Sequence, residues 1–418
     1  MTSILTRKTL CIPLLASLVA SPAFADTPAP TLSFGGYLQS QYEDHAESED
    51  QLSQSGDPLN LNRFLIRRAR LRMAADSEFV GAHLELNGST SRGSLLVDLY
   101  RAEAMLHYKA DDEDKTLARL TLGLTKIPFG YELVESSSQR LFMERALVIR
   151  SLFPGTTDIG AVALGEYKWF HLSLALMNGE PKGGAVEFPG RDPNNAKDLL
   201  VRVGADTGKL DDVAPLRISG NVSFLTGKGF SPGQPATKDR IEWVDVNEDG
   251  VVQGFEQTPI PGRAATRSED YHRWAVGADL QLEYKTGLGA TRLQGEMILA
   301  QNMDRNLFAN DPTTTGTDTR QFGWYAAITQ EFGEYVIAGF RYDYYDPNAN
   351  ELDTRRGSVV PASMTVQTFS PVVGLVLDDV ARLTFQYDFI RDHLGRDERG
   401  IPADLDNNLW TLRLQVKM

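Results

Sequence analysis

From residue 26 onward, segment after segment of the chain alternates apolar and polar residues with a period of two. A strand that separates two different environments produces this pattern. In 408–418, Trp410, Leu412, Leu414, Val416 and Met418 fall on one face, and Thr411, Arg413, Gln415 and Lys417 on the other. The segment 381–391 sets Leu383, Phe385, Tyr387 and Phe389 against Arg382, Thr384, Gln386 and Asp388. The alternation marks strands at 32–43, 60–75, 78–88, 96–108, 117–127, 158–167, 169–177, 198–206, 216–225, 272–284, 290–301, 320–332, 335–345, 363–377, 381–391 and 408–418. That is about sixteen, an even number, with connections sorted by parity. Those after odd strands, such as 44–59, 128–157, 178–197 and 226–271, are mostly long and polar; those after even strands, such as 76–77, 168, 285–289 and 333–334, are mostly tight turns. A soluble sandwich has no reason to sort its loops this way. An outer-membrane barrel does, with short turns on the periplasmic side and long loops outside. The fold class expected is therefore all-β, a transmembrane antiparallel up-and-down barrel. Its last strand would pair with its first and leave no open edge in lipid.

Composition is consistent with this and excludes other classes. Mean hydropathy is −0.28, too low for a polytopic helical membrane protein but ordinary for a barrel that alternates lipid-facing and lumen-facing residues. The chain has 42 Lys+Arg against 56 Asp+Glu and a formal charge of −14, which argues against a nucleic-acid partner. Residues 1–25 read as a signal peptide: Arg7 and Lys8, an apolar run from Leu10 to Ala20, and Ala23-Phe24-Ala25 as the cleavage site. Its removal takes away the only cysteine, Cys11, and two basic residues, leaving 40 − 56 = −16 on the barrel region 26–418. The localisation expected is the bacterial outer membrane.

Several motifs resemble the phosphate-selective porin O/P family. They are Phe64-Leu-Ile-Arg-Arg-Ala-Arg-Leu-Arg-Met73, Gly123-Leu-Thr-Lys-Ile-Pro-Phe-Gly-Tyr-Glu132, and Glu144-Arg145-Ala-Leu147 followed by Asp158-Ile-Gly160. Asn178-Gly179 and Arg341-Tyr-Asp343 add weaker matches. The resemblance implies a sixteen-stranded, homotrimeric outer-membrane channel that passively conducts small anions, phosphate or polyphosphate among them.

The lumen can be read independently of that resemblance. Arg68, Arg70 and Arg72 share one parity of strand 60–75, opposite Leu65, Ala69, Leu71 and Met73. Arginine facing lipid costs about 2–4 kcal/mol at the bilayer midplane, so the three face the lumen, about 7 Å apart. Guanidinium forks at that spacing can pass an oxyanion along the wall. Alternatively they pair with lumen acids such as Glu85, Asp98 or Glu103 and stiffen it. Arg67 has the wrong parity and marks either a bulge or an interface position. The connection 128–157 after the fifth strand is expected to fold inward as a constriction loop. It brings Ser136, Ser137, Ser138 and Arg140, with Lys126 at its entrance and Leu141, Phe142, Leu147, Val148 and Leu152 to pack it. Hydroxyls beside cations suit a constriction that replaces an anion's hydration shell. The alternative for this loop is an extracellular lid.

Within 226–271, residues 245–256 match the twelve-position EF-hand loop. Asp245, Asn247 and Asp249 stand at positions one, three and five; Gly250 is at the turn, and Val251 offers its carbonyl. Gln253 can act through water and Glu256 can chelate with both oxygens. The implied cofactor is calcium; the alternative is an acidic surface turn. An adhesive or structural calcium-binding barrel and a calcium-dependent phospholipase are the rival functions. For the phospholipase, no Ser, His and Asn set can be placed, and no catalytic residue is assigned.

Overall fold

The computed structural model describes residues 30–46, 62–91, 96–109, 116–180, 192–209, 215–243, 251, 253–355, 358–361, 364–378, 380–393, 395–396, 402–404 and 407–418. The first nine strands are β1 (Thr31–His45), β2 (Asn62–Asp76), β3 (Val80–Ser89), β4 (Leu96–Lys109), β5 (Thr116–Lys126), β6 (Thr157–Tyr167), β7 (Phe170–Met177), β8 (Asp198–Asp206) and β9 (Leu216–Ser231). Seven more follow at Glu269–Thr286, Gly289–Gln301, Arg320–Phe332, Val336–Asp346, Val366–Leu377, Ala381–Asp392 and Leu409–Lys417. All sixteen pair antiparallel in chain order and close into one barrel. Closure runs from Tyr37↔Lys417 to His45↔Leu409. The backbone of Met418 exchanges hydrogen bonds with Gly36, so pairing continues to the chain end. In lipid this matters because an unpaired edge would leave backbone groups with no partner.

Each segment marked by alternation forms a barrel strand. Two of them are longer than the alternation shows: β9 continues to Ser231 and its neighbour begins at Glu269, in the register Glu269↔Ser231. Backbone pairing needs no apolar face, so a ladder can extend past the level where side chains meet lipid. The strand expected from 363 begins at Val366. Three small ribbons occupy long connections among the described residues: Arg240–Trp243 with Gln257–Ile260, Leu352–Arg355 with Ser358–Pro361, and Gly395–Arg396 with Pro402–Ala403. Residues 1–29, which include the expected signal peptide, lie outside the described residues.

The outer face carries the apolar parity. Leu71, Leu122, Leu280, Met297, Val373 and Leu414 are each about half exposed. Aromatic rings gather at both ends of this band. Tyr42 packs on Phe64 and Trp410 at 4.7 and 5.1 Å, and Tyr342 on Trp324 and Phe369 at 5.2 and 4.9 Å, toward the long connections. Tyr108, Tyr167, Trp169, Tyr284, Phe332 and Tyr335 are exposed beside the short turns. These are the two interfacial girdles of a membrane barrel.

The inner face is not simply polar. From β7 onward many inward positions are small, among them Ala175, Ala275, Gly277, Ala300, Gly323 and Ala327. The segment joining β5 to β6, including a short helix α1 (Leu147–Leu152), packs against them. Gly277 leaves room for the ring of Phe129: a Cβ there would meet it at 2.9 Å. Gly323 does the same for Val148, at 2.6 Å. Phe129, Leu133, Phe142, Val148, Ile149 and Leu152 are fully buried, so this side of the barrel interior holds a packed apolar core.

Leu280 points outward in mid-strand and is half exposed. Leu280→Arg should lower unfolding stability by about 2–4 kcal/mol, measured by urea titration in lipid vesicles. An unchanged midpoint would mean that this parity does not face lipid.

Candidate functional site

Two interruptions of the strand register shape the polar side of the lumen. Between β1 and β2 the pairing steps from Gln39↔Arg68 to Ser40↔Ile66, leaving Arg67 without a partner. Between β3 and β4 it steps from Glu85↔Arg101 to Leu86↔Leu99, leaving Tyr100 extra. Each is a β-bulge, which turns two consecutive side chains to the same side. Arg67 therefore joins Arg68 in the lumen, and Tyr100 joins Arg101. Of the two readings open for Arg67, the bulge is the one observed. Both bulges leave a trace in the sequence: outward residues change from even (Phe64, Ile66) to odd (Ala69, Leu71), and from odd (Val97, Leu99) to even (Ala102, Ala104). Tyr100 and Arg101 were recoverable from this switch of parity, which the alternation of the segment as a whole conceals.

The β5–β6 segment is fastened to the inner wall by buried ions. Glu144 receives Arg67 Nε at 2.7 Å, Arg68 Nη2 at 2.9 Å and Arg413 Nη2 at 3.2 Å. Burial by itself would raise this carboxyl, but the three arginines hold it well below the ordinary carboxylate range. Arg413 also donates to Gln41 and to the Met143 carbonyl at 2.8 Å. Glu132, fully buried, receives Arg341 at 3.3 Å and the amide of Ala146 at 2.7 Å. Glu296 from the wall accepts the amides of Tyr131 and Glu132 at 3.3 and 3.2 Å. Gly130 precedes them with φ +60°, and a Cβ there would lie 1.7 Å from Glu296 Oε1. Only glycine fits both the backbone and the contact. At the far end of the segment, Asp158 accepts the amide of Gly179 at 2.7 Å.

Between this segment and the wall of β2–β4 lies a cavity of about 170 Å³. Arg70, Arg72, Arg101, Lys126, Ser136 and Ser137 are among its lining residues, with Glu85, His83 and Tyr100. Arg70 is fully engaged: Glu85 at 2.8 Å, Asn87 at 3.2 Å, and the Tyr100 ring with its centroid 3.3 Å from the guanidinium carbon. The Tyr100 hydroxyl bonds Thr156 at 2.7 Å. Arg101 is held by Glu103 at 2.7 Å. His83 lies 3.4 Å from the same carboxylate, and Thr125 donates to it at 2.6 Å. Arg72 is looser, 3.5 Å from Glu85 with its side chain 43% exposed. Among the described residues Lys126 donates only to carbonyls, Val134 at 2.6 Å and Glu135 at 3.4 Å. Ser137 Oγ meets the Tyr37 hydroxyl at 2.6 Å, and Ser136 Oγ meets Ser138 Oγ at 3.0 Å.

The structure thus brings Arg70, Arg72, Lys126, Ser136 and Ser137 around one cavity. Arg68 does not join them: it belongs to the Glu144 cluster. Arg70 is paired with Glu85, as in the wall-stiffening alternative, while Asp98 meets Asn87. The three arginines are therefore not equal rungs. Ser138 and Arg140 line a second space, a vestibule of about 1140 Å³ at the short-turn end, below the segment. Arg140 is tied to Glu135 at 3.3 Å.

The calcium motif is reached only in part. Asp245, Asn247 and Asp249 lie outside the described residues, as does the side chain of Glu256. Val251 and Gln253 are described, and a 3-10 turn spans Gly254–Glu256. The ribbon register Trp243↔Gln257 brings the two ends of the motif together.

Comparison with known proteins agrees with this architecture. The family model for phosphate-selective porin O and P matches residues 39–360. The chain belongs to this family. It is an outer-membrane porin, a channel rather than an enzyme. No curated protein sequence matches it. Among solved structures, this porin is similar to OmpT of Vibrio cholerae in its trimer form, with TM-score 0.53 and 11% identity over 94% of this chain and 100% of that one. It is similar to the anion-selective porin from Comamonas acidovorans, with TM-score 0.52 and 10% identity over 93% and 100%. The outer membrane channel DcaP of Acinetobacter baumannii gives 0.53 and 11% over 93% and 98%. At such identities the likeness concerns the fold alone.

Removing the Glu144 charge leaves three lumen arginines facing one another. Glu144→Gln should cost this porin about 1–3 kcal/mol in urea unfolding and raise open-channel current noise as the segment loosens. The folded carboxyl is depressed, so its contribution is complete above the unfolded value of about 4.3 and fades as pH falls through the lower folded value. The stability difference between the two proteins should therefore be constant from about pH 5 to 8. A difference that shrinks within that window would contradict the ion cluster.

Proposed function

We propose that this porin conducts small anions and selects them in the cavity between β2–β4 and the β5–β6 segment, which acts as its constriction loop. The observation that carries the reading is the charge of that cavity: Arg70, Arg72, Arg101 and Lys126 line it against two carboxylates, Glu85 in the lining and Glu103 bound to Arg101. In a narrow space with low-dielectric walls, this local excess governs which ions enter, whatever the net charge of the chain. Arg72 and Lys126 are the cations with least carboxylate compensation, and they offer donors to a passing oxyanion. Arg68, Arg70 and Arg140 set the field and hold the loop. Hydroxyls of Ser136 and Ser137 can replace part of a phosphate's hydration shell, while Ser138 faces the exit. Membership of a phosphate-selective porin family, and a fold shared with an anion-selective porin, support the anion and phosphate reading.

The trimer reading has its own support. Outward residues of β2–β4 are unusually small, with Ala69, Ala75, Ala82, Ala102 and Ala104 on one continuous face. Such a face lets another wall approach closely, and the Vibrio porin has a trimer form. The lipid partner is read from the aromatic girdles.

Planar-bilayer recording tests the proposal. Currents should step in groups of three, with reversal potentials showing anion preference and phosphate slowing chloride. The double variant Arg72→Gln, Lys126→Gln should reduce the anion-to-cation permeability ratio several-fold while the barrel still inserts. A wild-type channel without anion preference would overturn the reading.

For residues 245–256 we propose a calcium loop outside the cell. The support is the donor pattern Asp245, Asn247, Asp249, Val251, Gln253 and Glu256, and the ribbon that brings its ends together. Terbium luminescence excited through Trp243 should appear in the intact barrel and be competed by calcium. Asp245→Asn with Glu256→Gln should abolish it; luminescence unchanged in that variant would reject the site.

A further inference from the structure

The vestibule at the short-turn end has a chemistry unlike that of the cavity above it. Many of its charges are matched in ion pairs, and Glu334, Asp378 and Lys417 also line it. Arg292 lies between Glu283 at 2.7 Å and Glu331 at 2.6 Å, and Arg140 is paired with Glu135. Arg382 differs. Its Nη atoms donate only to main-chain carbonyls, to Gln139 at 3.4 Å and to Arg140. Its Nε is buried and finds no acceptor among the described residues; no carboxylate there makes an ion pair with it, and Glu135 acts on it only through space.

On one side the neighbours of this cation are apolar; on the other its cross-strand partner is Gln415. Val376 is its direct cross-strand partner. One pleat along, Gly374 has no side chain, and Ile337 Cγ2 and Leu141 Cδ1 close over it, 3.0 and 3.4 Å from where a Cβ would stand. Arg382, Val376, Ile337 and Leu141 all line the vestibule. One guanidinium with no carboxylate in ion-pair contact thus stands beside an apolar shelf in a space of about 1140 Å³. A fully hydrated inorganic ion gains nothing from such a shelf. An organic anion does, because its carboxylate can meet the guanidinium while its body leaves water.

We propose that this sector binds amphipathic monocarboxylates, anions that join one carboxylate to an apolar body. The site rests on the chain being an open channel, but not on selectivity in the upper cavity. A solute held here blocks the exit of smaller anions and is itself concentrated at the short-turn mouth.

Benzoate and acetate are the probes. Each is added to one side of a bilayer containing the intact porin, and the reduction of chloride current is recorded. Benzoate should act from the short-turn side at concentrations at least about tenfold below acetate, since only its ring can use the shelf. Arg382→Gln keeps an amide for the loop carbonyls and should raise the benzoate concentration needed about tenfold or more. Ile337→Thr keeps the cation and should bring benzoate and acetate close together, which covers the case that the arginine variant fails to insert. Equal potency of the two probes on the wild-type porin would overturn the proposal. So would benzoate block that survives both substitutions. Arg72→Gln with Lys126→Gln separates the two sites: loss of anion preference there with benzoate block retained leaves this inference standing.

Discussion

Everything in this molecule depends on closing the backbone ladder between the first strand and the last. Lipid offers no hydrogen bonds, so a sheet that crosses it must have no edge. The pairing of β1 with Leu409–Lys417 meets that demand from His45 to Tyr37, and Met418 extends it to the chain end. Closure also creates an inside. Once it exists, the period-two pattern has two separate meanings: apolar residues face lipid, and the other parity faces a space that the chain must then furnish.

The furnishing is uneven. From β7 onward the inner positions are small and accept the apolar side of the β5–β6 segment, with Gly277 and Gly323 opened for Phe129 and Val148. Over β1–β4 many inner positions are large and polar or charged, and a cavity of about 170 Å³ remains. Bulges at Arg67 and Tyr100 double the inward side chains at just this wall. The cavity is therefore left on one side of the barrel, beside cationic side chains, while a hydrophobic core fills the other side. The ion cluster of Glu144 with Arg67, Arg68 and Arg413 joins the two halves. Leaving that much positive charge together costs energy unless a carboxylate answers it, and the loop supplies one.

The family motifs have a physical reading in these terms. Gly130, Glu132, Glu144, Asp158, Gly179 and Arg341 all belong to matched motifs, and each one fixes the loop or its ends. Gly130 and Gly179 take left-handed backbone at φ +60° and +84°. Glu132 and Arg341 pair, and Asp158 holds the Gly179 amide. What the motifs preserve in this chain is the attachment of the loop. Lys126 belongs to one of these motifs and Arg382 to none; neither has a carboxylate ion-pair partner among the described residues.

Strand number, parity and the sorting of short turns from long loops were legible in the sequence because each depends on local chemistry: a side chain meets lipid or it does not, and a turn is short or long. The lumen-facing parity of Arg68, Arg70 and Arg72 followed from the same argument. Their separate fates did not. Arg68 turns to a carboxylate 76 positions away, and Arg70 is clamped by Glu85 beneath Tyr100. Arg382, read in the sequence as one more polar-face residue, stands out only when its neighbours across the sheet and on the loop are known. Alternation determines which way a side chain points. Only the closed barrel decides what it meets, because the partners come from strands and a loop that are distant in the chain and brought together by packing.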